Sequence, residues 1–246
     1  MDKKNNKFSL SIDNSSDYLS IAILDKIKIV KVKHYKLQRT HNFDDYFVYL
    51  HDFFNDHYNI NSLYVGCGPG SFSGIRKTIS FAKALKASKG KNFYVIGVNS
   101  LAALAHNYAE MNPSAKSKKL LVVMDTKCND FFVQLYEIKK RKSHFTIYPK
   151  SEIEIKKLNE LNDYADLMEI NKKEVTIVGL PESIIKKSTF NMSVFGKKIQ
   201  FPSAVNIGKI GFEISEIDKK LYDLQNQYNF FNFDLNPIYA RAAKTN

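Results

Sequence analysis

Apolar and polar positions alternate with period two over Phe8-Ser-Leu-Ser-Ile-Asp13 and again over residues 18–24, separated by the polar stretch Asn14-Ser-Ser-Asp17. Two strands joined by a short polar turn make a hairpin. A third alternating run over 28–35 extends the meander, so the sheet begins antiparallel. Between 40 and 60 the period becomes helical: Phe43, Phe47, Leu50 and Phe54 form one stripe, and Tyr46, Tyr49 and Phe53 a neighbouring one. That helix is aromatic over more than one face.

The short apolar run Leu63-Tyr64-Val65 then enters a loop rich in glycine, and an apolar-periodic segment leaves it, with Ile75, Ile79, Ala82 and Leu85 as the inward stripe of a helix over 73–87. Residues 93–98 read as a strand, Asn99-Ser100 as a helix cap, and 101–108 as a short helix. The order after the meander is therefore β-α-β-α. Two more strands over 120–125 and 131–138, the turn Thr126-Lys-Cys-Asn-Asp130 between them, and a run near 145–148 begin a second meander. From 149 to 174 helical periodicity is weak. One more strand ends at Val178, residues 182–203 fit no element, and a long helical pattern follows Pro202-Ser203 through Ile207, Ile210, Ile214 and Ile217 to Leu221 and Leu224. No repeat of fixed period is present, although meander-then-helix occurs twice.

A chain of 246 residues, 44% of them hydrophobic, buries a proper core as one large domain or two small ones. No apolar run reaches the roughly 18 residues of a membrane span, and the polar start MDKKNNKF does not read as a signal peptide; the expected compartment is the cytoplasm. Cys67 and Cys128 are too few for a disulfide framework and lack the spacing of a zinc site. The net charge of +12 invites a nucleic-acid partner, yet the excess is nearly all lysine, and arginine, the usual reader of bases, is scarce.

Gly66, Gly68, Gly70 and Gly74 are four of only ten glycines. Such density means that something approaches the main chain closely. The loop is not a P-loop, because Lys77-Thr78 do not directly follow the last glycine. Nor is it a dinucleotide fingerprint: Ser73 holds the third glycine slot, and no Asp or Glu follows until Glu110. The acid-free stretch holds Arg76, Lys77, Lys83, Lys86, Lys89 and Lys91, which suits an anionic partner and equally a solvated helix face. Cys67 has no local signature of a cysteine hydrolase and no paired base among the six histidines, none of which form the i, i+4 metal pair. Asp13 and Asp125 each end a strand and precede a polar turn, the placement of phosphate- or magnesium-facing acids in a split nucleotide-binding fold and also of ordinary turn signals.

The run Gly68-Pro69-Gly70-Ser71-Phe72-Ser73-Gly74-Ile75-Arg76 resembles the GPGSFTG[VIL]R signature of the TsaB (YeaZ) family, the dimerisation subunit of the bacterial tRNA adenosine threonylcarbamoyltransferase complex. The Asp13-Asn14-Ser15 turn is similar to the family's Asp-Thr-Ser/Ala. The segment from Ile96 to Leu104 resembles its GVSSL stretch, Asp125 opens a run like DAR-x-x-E-V-Y, and Asn236-Pro-Ile-Tyr-Ala-Arg241 resembles P-x-Y-L-R. Residues 150–205 match poorly, and Asn14, Ser73 and Lys127 depart from the pattern.

The resemblance implies an α/β, actin-like/Hsp70-like (ribonuclease H-like) fold of two similar halves, each a mixed sheet flanked by helices, with 1–109 as the first half and 110–246 as a smaller second one. It implies a non-catalytic subunit that pairs with a catalytic sister of the same fold, and an ATPase subunit that binds the pair. It reaches tRNA through the complex and forms a homodimer when alone. No metal, no catalytic residue and no cofactor of its own are expected, ATP or ADP entering only with the sister subunit. The partner interface is expected at Phe43, Tyr46, Phe47, Tyr49, Phe53 and Phe81, on two helices that form a bundle with the partner in the family. The 68–76 loop is structural or phosphate-facing, and Asp13, Asn14, Ser15 and Asp125 mark a vestigial nucleotide site. The alternative is a stand-alone nucleotide-using, kinase-like enzyme or a peptidase of the same fold using Cys67.

Overall fold

The computed structural model describes residues 7–37, 43–53, 58–113, 117–141, 144–161, 163–164, 174–186, 190, 192–195, 201–216 and 231–240. The first meander is β1 (Phe8–Asp13), β2 (Tyr18–Asp25) and β3 (Lys28–Lys36), followed by α1 (Phe43–Phe53), β4 (Ile60–Gly66), α2 (Phe72–Lys89), β5 (Tyr94–Val98) and α3 (Ser100–Met111). The second is β6 (Ser117–Asp125), β7 (Phe131–Arg141) and β8 (His144–Pro149). Then come β9 (Glu154–Lys156), a 3-10 turn at Leu158–Glu160, β10 (Val175–Val178), α4 (Glu182–Ile185), β11 (Ser193–Phe195), α5 (Ala204–Ser215) and β12 (Phe231–Asn232).

Two mixed sheets result. The first runs β12-β5-β4-β1-β2-β3, antiparallel within the meander and parallel from β1 through β4 to β5. The second runs β11-β10-β6-β7-β8, with β9 on β7, and repeats that plan: the meander is antiparallel, and β6, β10 and β11 are parallel. Each half thus has a central strand, β1 or β6, flanked by one antiparallel and one parallel neighbour. Its outer end is where the connecting loops gather, the usual location of ligands in such sheets.

Between the sheets lies α3, buried almost all round, as a helix apolar on every face must be. Beside it α5 packs Ile207, Ile210 and Ile214 into the same core. Asn206 Nδ2 and His106 Nδ1 lie 3.0 Å apart across the α3–α5 contact. Desolvation lowers the His106 pKa to about 4, so the ring is neutral. The N-terminus of α5 is tied to the first sheet: Ala204 N donates to Ser20 Oγ (2.8 Å), and Ser11 Oγ donates to Ala204 O (2.6 Å). Because β12 also pairs with β5, chain from beyond residue 200 completes the first sheet. The expected division at 109/110 therefore does not follow the sheets.

Two further expectations change. The weakly helical 149–174 segment contributes a strand, β9, in its described part. Residues 182–203, which fitted no element, hold α4 and β11. The pattern following Ser203 does cap a helix, its hydroxyl accepting from Val205 N, but Ile217, Leu221 and Leu224 lie outside the described residues. No described helix is long and apolar enough to cross a membrane.

Candidate functional site

Three loops meet at the outer ends of β1, β4 and β6: the 13–17 turn, the 66–71 glycine loop and the 125–130 turn. Asp13 is fully buried. Its Oδ1 accepts from Ser15 N (3.0 Å) and Ser15 Oγ (2.8 Å), and its Oδ2 from Ser100 Oγ (2.8 Å). Burial raises its pKa above the ordinary carboxylate value, and the serine hydrogen bonds pull the other way. The acid faces its own neighbours rather than an open cleft.

The glycine loop explains why. Ser71 N donates to Ser15 O at 2.7 Å, Gly68 N to Ser100 Oγ at 3.2 Å, and Ser100 N to Gly68 O at 2.7 Å. Gly70 stands at φ 147, and a Cβ there would fall on the Ser15 carbonyl; one on Gly74 would fall on the Asn14 carbonyl. The loop is therefore pressed backbone to backbone on the 14–15 turn, and α2 starts from it with Ser71 as its cap, Ser71 Oγ accepting from Gly74 N at 3.2 Å. Pro69 is buried, whereas Phe72 and Ser73 are exposed. Arg76 lies over the Phe72 ring at 4.5 Å, and Phe72 meets Tyr239 of the returning chain at 5.2 Å. The amides a phosphate would need at Gly68, Ser71 and Gly74 already have partners, and the place a phosphate would take against the turn is filled by main chain.

Cys67 is buried in the same layer, its amide donating to Val98 O (2.9 Å) and its carbonyl accepting from Ile238 N (2.8 Å). Desolvation, with the nearby Asp13 carboxyl acting in the same direction, pushes the thiol up to about 12. A thiolate nucleophile needs the opposite environment.

The second turn differs. Asp125 Oδ1 accepts from Lys127 N at 2.7 Å, and the Lys127 ammonium reaches both Asp125 Oδ2 (3.4 Å) and Asp17 Oδ2 (2.9 Å). Lys127 thus ties the two halves together across a cleft of about 450 Å³ that also touches Ser15, Ser71 and Tyr239. The sequence pattern singled out Asp125 but not Asp17 or Ser100. Lys127 was visible only as a departure from the family's arginine.

The expected interface residues divide. Tyr46 (3% exposed) and Phe53 (0%) belong to the first half's core, with Tyr46 Oη donating to Thr78 Oγ1 of α2 at 3.4 Å. This corrects the expectation that both face a partner: they fill the space between α1, α2 and the sheet. Tyr49 and Phe81 are half-buried, Tyr49 stacking on Tyr35 at 4.3 Å. Phe47 (43% exposed) and its neighbour Val48 (53%) face outward. The Phe43 side chain lies outside the described residues.

The model of the family described as TsaD, tRNA N6-adenosine threonylcarbamoyltransferase, matches residues 56–228, well over half of the chain. The chain belongs to that family. This TsaD-family chain also shares its fold with YeaZ from Pseudomonas aeruginosa, at a TM-score of 0.63 and 13% identity over 95% of this chain and 99% of that one. A further structure, of an uncharacterized protein with similarity to peptidase YeaZ from Pseudomonas aeruginosa, gives 0.65 and 14% over 96% and 100%. No protein of curated function matches it. The architecture is that of a YeaZ-like protein, two mixed sheets flanked by helices.

Proposed function

We propose that this TsaD-family chain is a non-catalytic partner subunit in threonylcarbamoyladenosine modification of tRNA, pairing with a catalytic sister subunit of the same fold. An ATPase subunit binds the pair, and the chain forms a homodimer when alone. The observation that carries this reading is the seating of the glycine loop on the 14–15 turn, which seals Asp13 and leaves the loop a scaffold for α2. A stand-alone nucleotide-using enzyme would need that acid open to a phosphate, and a peptidase would need the Cys67 thiol ionised; the burial of both argues against either. The partner surface is the outward face of α1 around Phe47 and Val48, edged by Tyr49 and Phe81.

Two measurements on the purified full chain test this. ATP turnover alone is expected to be at background; turnover lost on Asp125→Ala would overturn the reading. Phe47→Ala with Val48→Ala is expected to leave the melting temperature within a few degrees, because both side chains are exposed and neither belongs to the buried core. Capture of the sister subunit should weaken by about 30-fold or more, the usual cost of truncating a central aromatic anchor. Unchanged capture places the interface elsewhere.

A further inference from the structure

The acid-free stretch between Asp56 and Glu110 acquires a shape in the fold. Its lysines Lys83, Lys86, Lys89 and Lys91 are all exposed, and none of them has an ion-pair partner among the described residues. At the far end of α2, Gly90 turns the chain at φ 82. Lys83, Lys86 and Lys91 there frame an open hollow of about 550 Å³ whose opposite wall is Phe233 and Asp234, just past β12. The C-terminal end of a helix carries about half a negative charge, and Asp234 adds one. The three lysines that line it exceed both, so the hollow keeps a positive potential. Phe233 is 41% exposed and offers a flat apolar face beside the charges.

We propose that this hollow holds the phosphate backbone of an RNA, giving the chain a direct contact with the nucleic acid that its family modifies. The proposal rests on membership of a tRNA-modifying family and not on the partner-subunit reading. Phosphates suit the site better than an acidic protein does. Lysine is depleted from the centres of protein interfaces, whereas lysines around a wet hollow with one aromatic wall are the usual arrangement for a sugar-phosphate backbone and a stacked base. Lysine without arginine fits contacts that position an RNA and do not read its bases.

The test is fluorescence anisotropy of a labelled, unmodified tRNA transcript with the full chain between 50 and 200 mM salt. Wild-type protein is expected to bind with an affinity that falls steeply with salt. Lys83→Glu/Lys86→Glu/Lys91→Glu should weaken binding by at least about 10-fold and flatten the log–log salt slope by about 2–3, since each lost phosphate contact removes nearly one counterion. Lys26→Glu/Lys28→Glu/Lys33→Glu, the same charge change on the first meander, should alter affinity by less than about 3-fold. Absence of tRNA binding by the wild type, equal losses in the two triple variants, or polyglutamate bound as tightly as tRNA with the same sensitivity to the α2 changes would each overturn the proposal. Sister-subunit capture, measured on the same variants, reports on the partner reading separately and should be unchanged by the α2 substitutions.

Discussion

The turns that end β1 and β6 share a pattern and differ in fate. In each, an aspartate closes the central strand of its sheet and accepts a hydrogen bond from the amide two residues on, Ser15 in the first and Lys127 in the second. The backbone solution is the same Asx turn. What differs is the covering. The glycine loop lies over the first turn, removes Asp13 from water and surrounds it with hydroxyls. At the second turn the lysine amide and ammonium hold an Asp125 that remains partly exposed. An aspartate after a strand is thus no evidence of a ligand until the neighbour that packs over it is known.

Breaking the cover should have the largest effect. Gly74→Val sets side-chain atoms against the Asn14 carbonyl, which has no rotamer by which to move away. Overpacking against backbone costs about 3 kcal/mol or more, and the melting temperature should fall by about 6–12 °C together with partner capture. A variant that melts like the parent would show that the loop does not lean on the turn.

Removing the two acids sharpens the contrast. Asp13→Ala strands the Ser15 amide and two hydroxyls in a sealed site, at about 2–4 kcal/mol, whereas Asp125→Ala should cost less than about 1 kcal/mol. The pH dependence has a definite sign. Burial raises the folded-state pKa of Asp13 above its unfolded value, so its contribution is full below about 3.8, the unfolded value, and is lost as pH rises through the folded one. Relative to wild type, Asp13→Asn should therefore gain stability as pH climbs above that value. Chemical denaturation at several pH values reads this, and a gap that widens in the opposite direction would mean that the carboxylate is ionised and stabilised by its serines.

The smallest effect is expected at Lys127. Partial burial opposes its charge, and the hydrogen bond to Asp17 with the field of Asp125 more than offsets this, so its pKa is raised. Its side chain is half in solvent, and its backbone sits at a left-handed φ of 65 that a non-glycine residue adopts at some cost. Lys127→Gly relieves the backbone as it loses the bridge, and the net change in stability should stay within about 1 kcal/mol. A larger loss would make the bridge a principal tie between the halves.

Period and punctuation carried most of the fold. The alternation of 8–13 and 18–24, the Asn99 cap and the Ser203 cap each name an element because a local rule is enough to define it. β9, β11 and β12 were illegible because two or three residues contain no period, and they are strands only through the partner they lie beside. At the site, the glycines announced a close approach, but the sequence did not say to what. The answer lay in the Asn14 and Ser15 carbonyls, which every residue possesses. On α1 the count of aromatics was informative and their facing was not: Tyr46 and Phe47 are adjacent, and only the position of Thr78 on a neighbouring helix decides which of them turns inward. Asp17 entered the site because a lysine far along the chain reaches it.

The seat of α5 on the first sheet bears on how the protein is made. Ser11 meets Ala204 across 193 positions of sequence, and β5 waits for Phe231 and Asn232 to gain its outer neighbour. When the ribosome has delivered the residues of β1 to β5, the face of that sheet destined for α5 is still bare, and it stays so until α5 itself has been made, more than 100 residues later. Contacts of such span make assembly slow and keep apolar surface exposed meanwhile. The sheet whose strands are made first is closed by a helix made long after them, and nascent chains stalled short of α5 are those with the greatest claim on a chaperone.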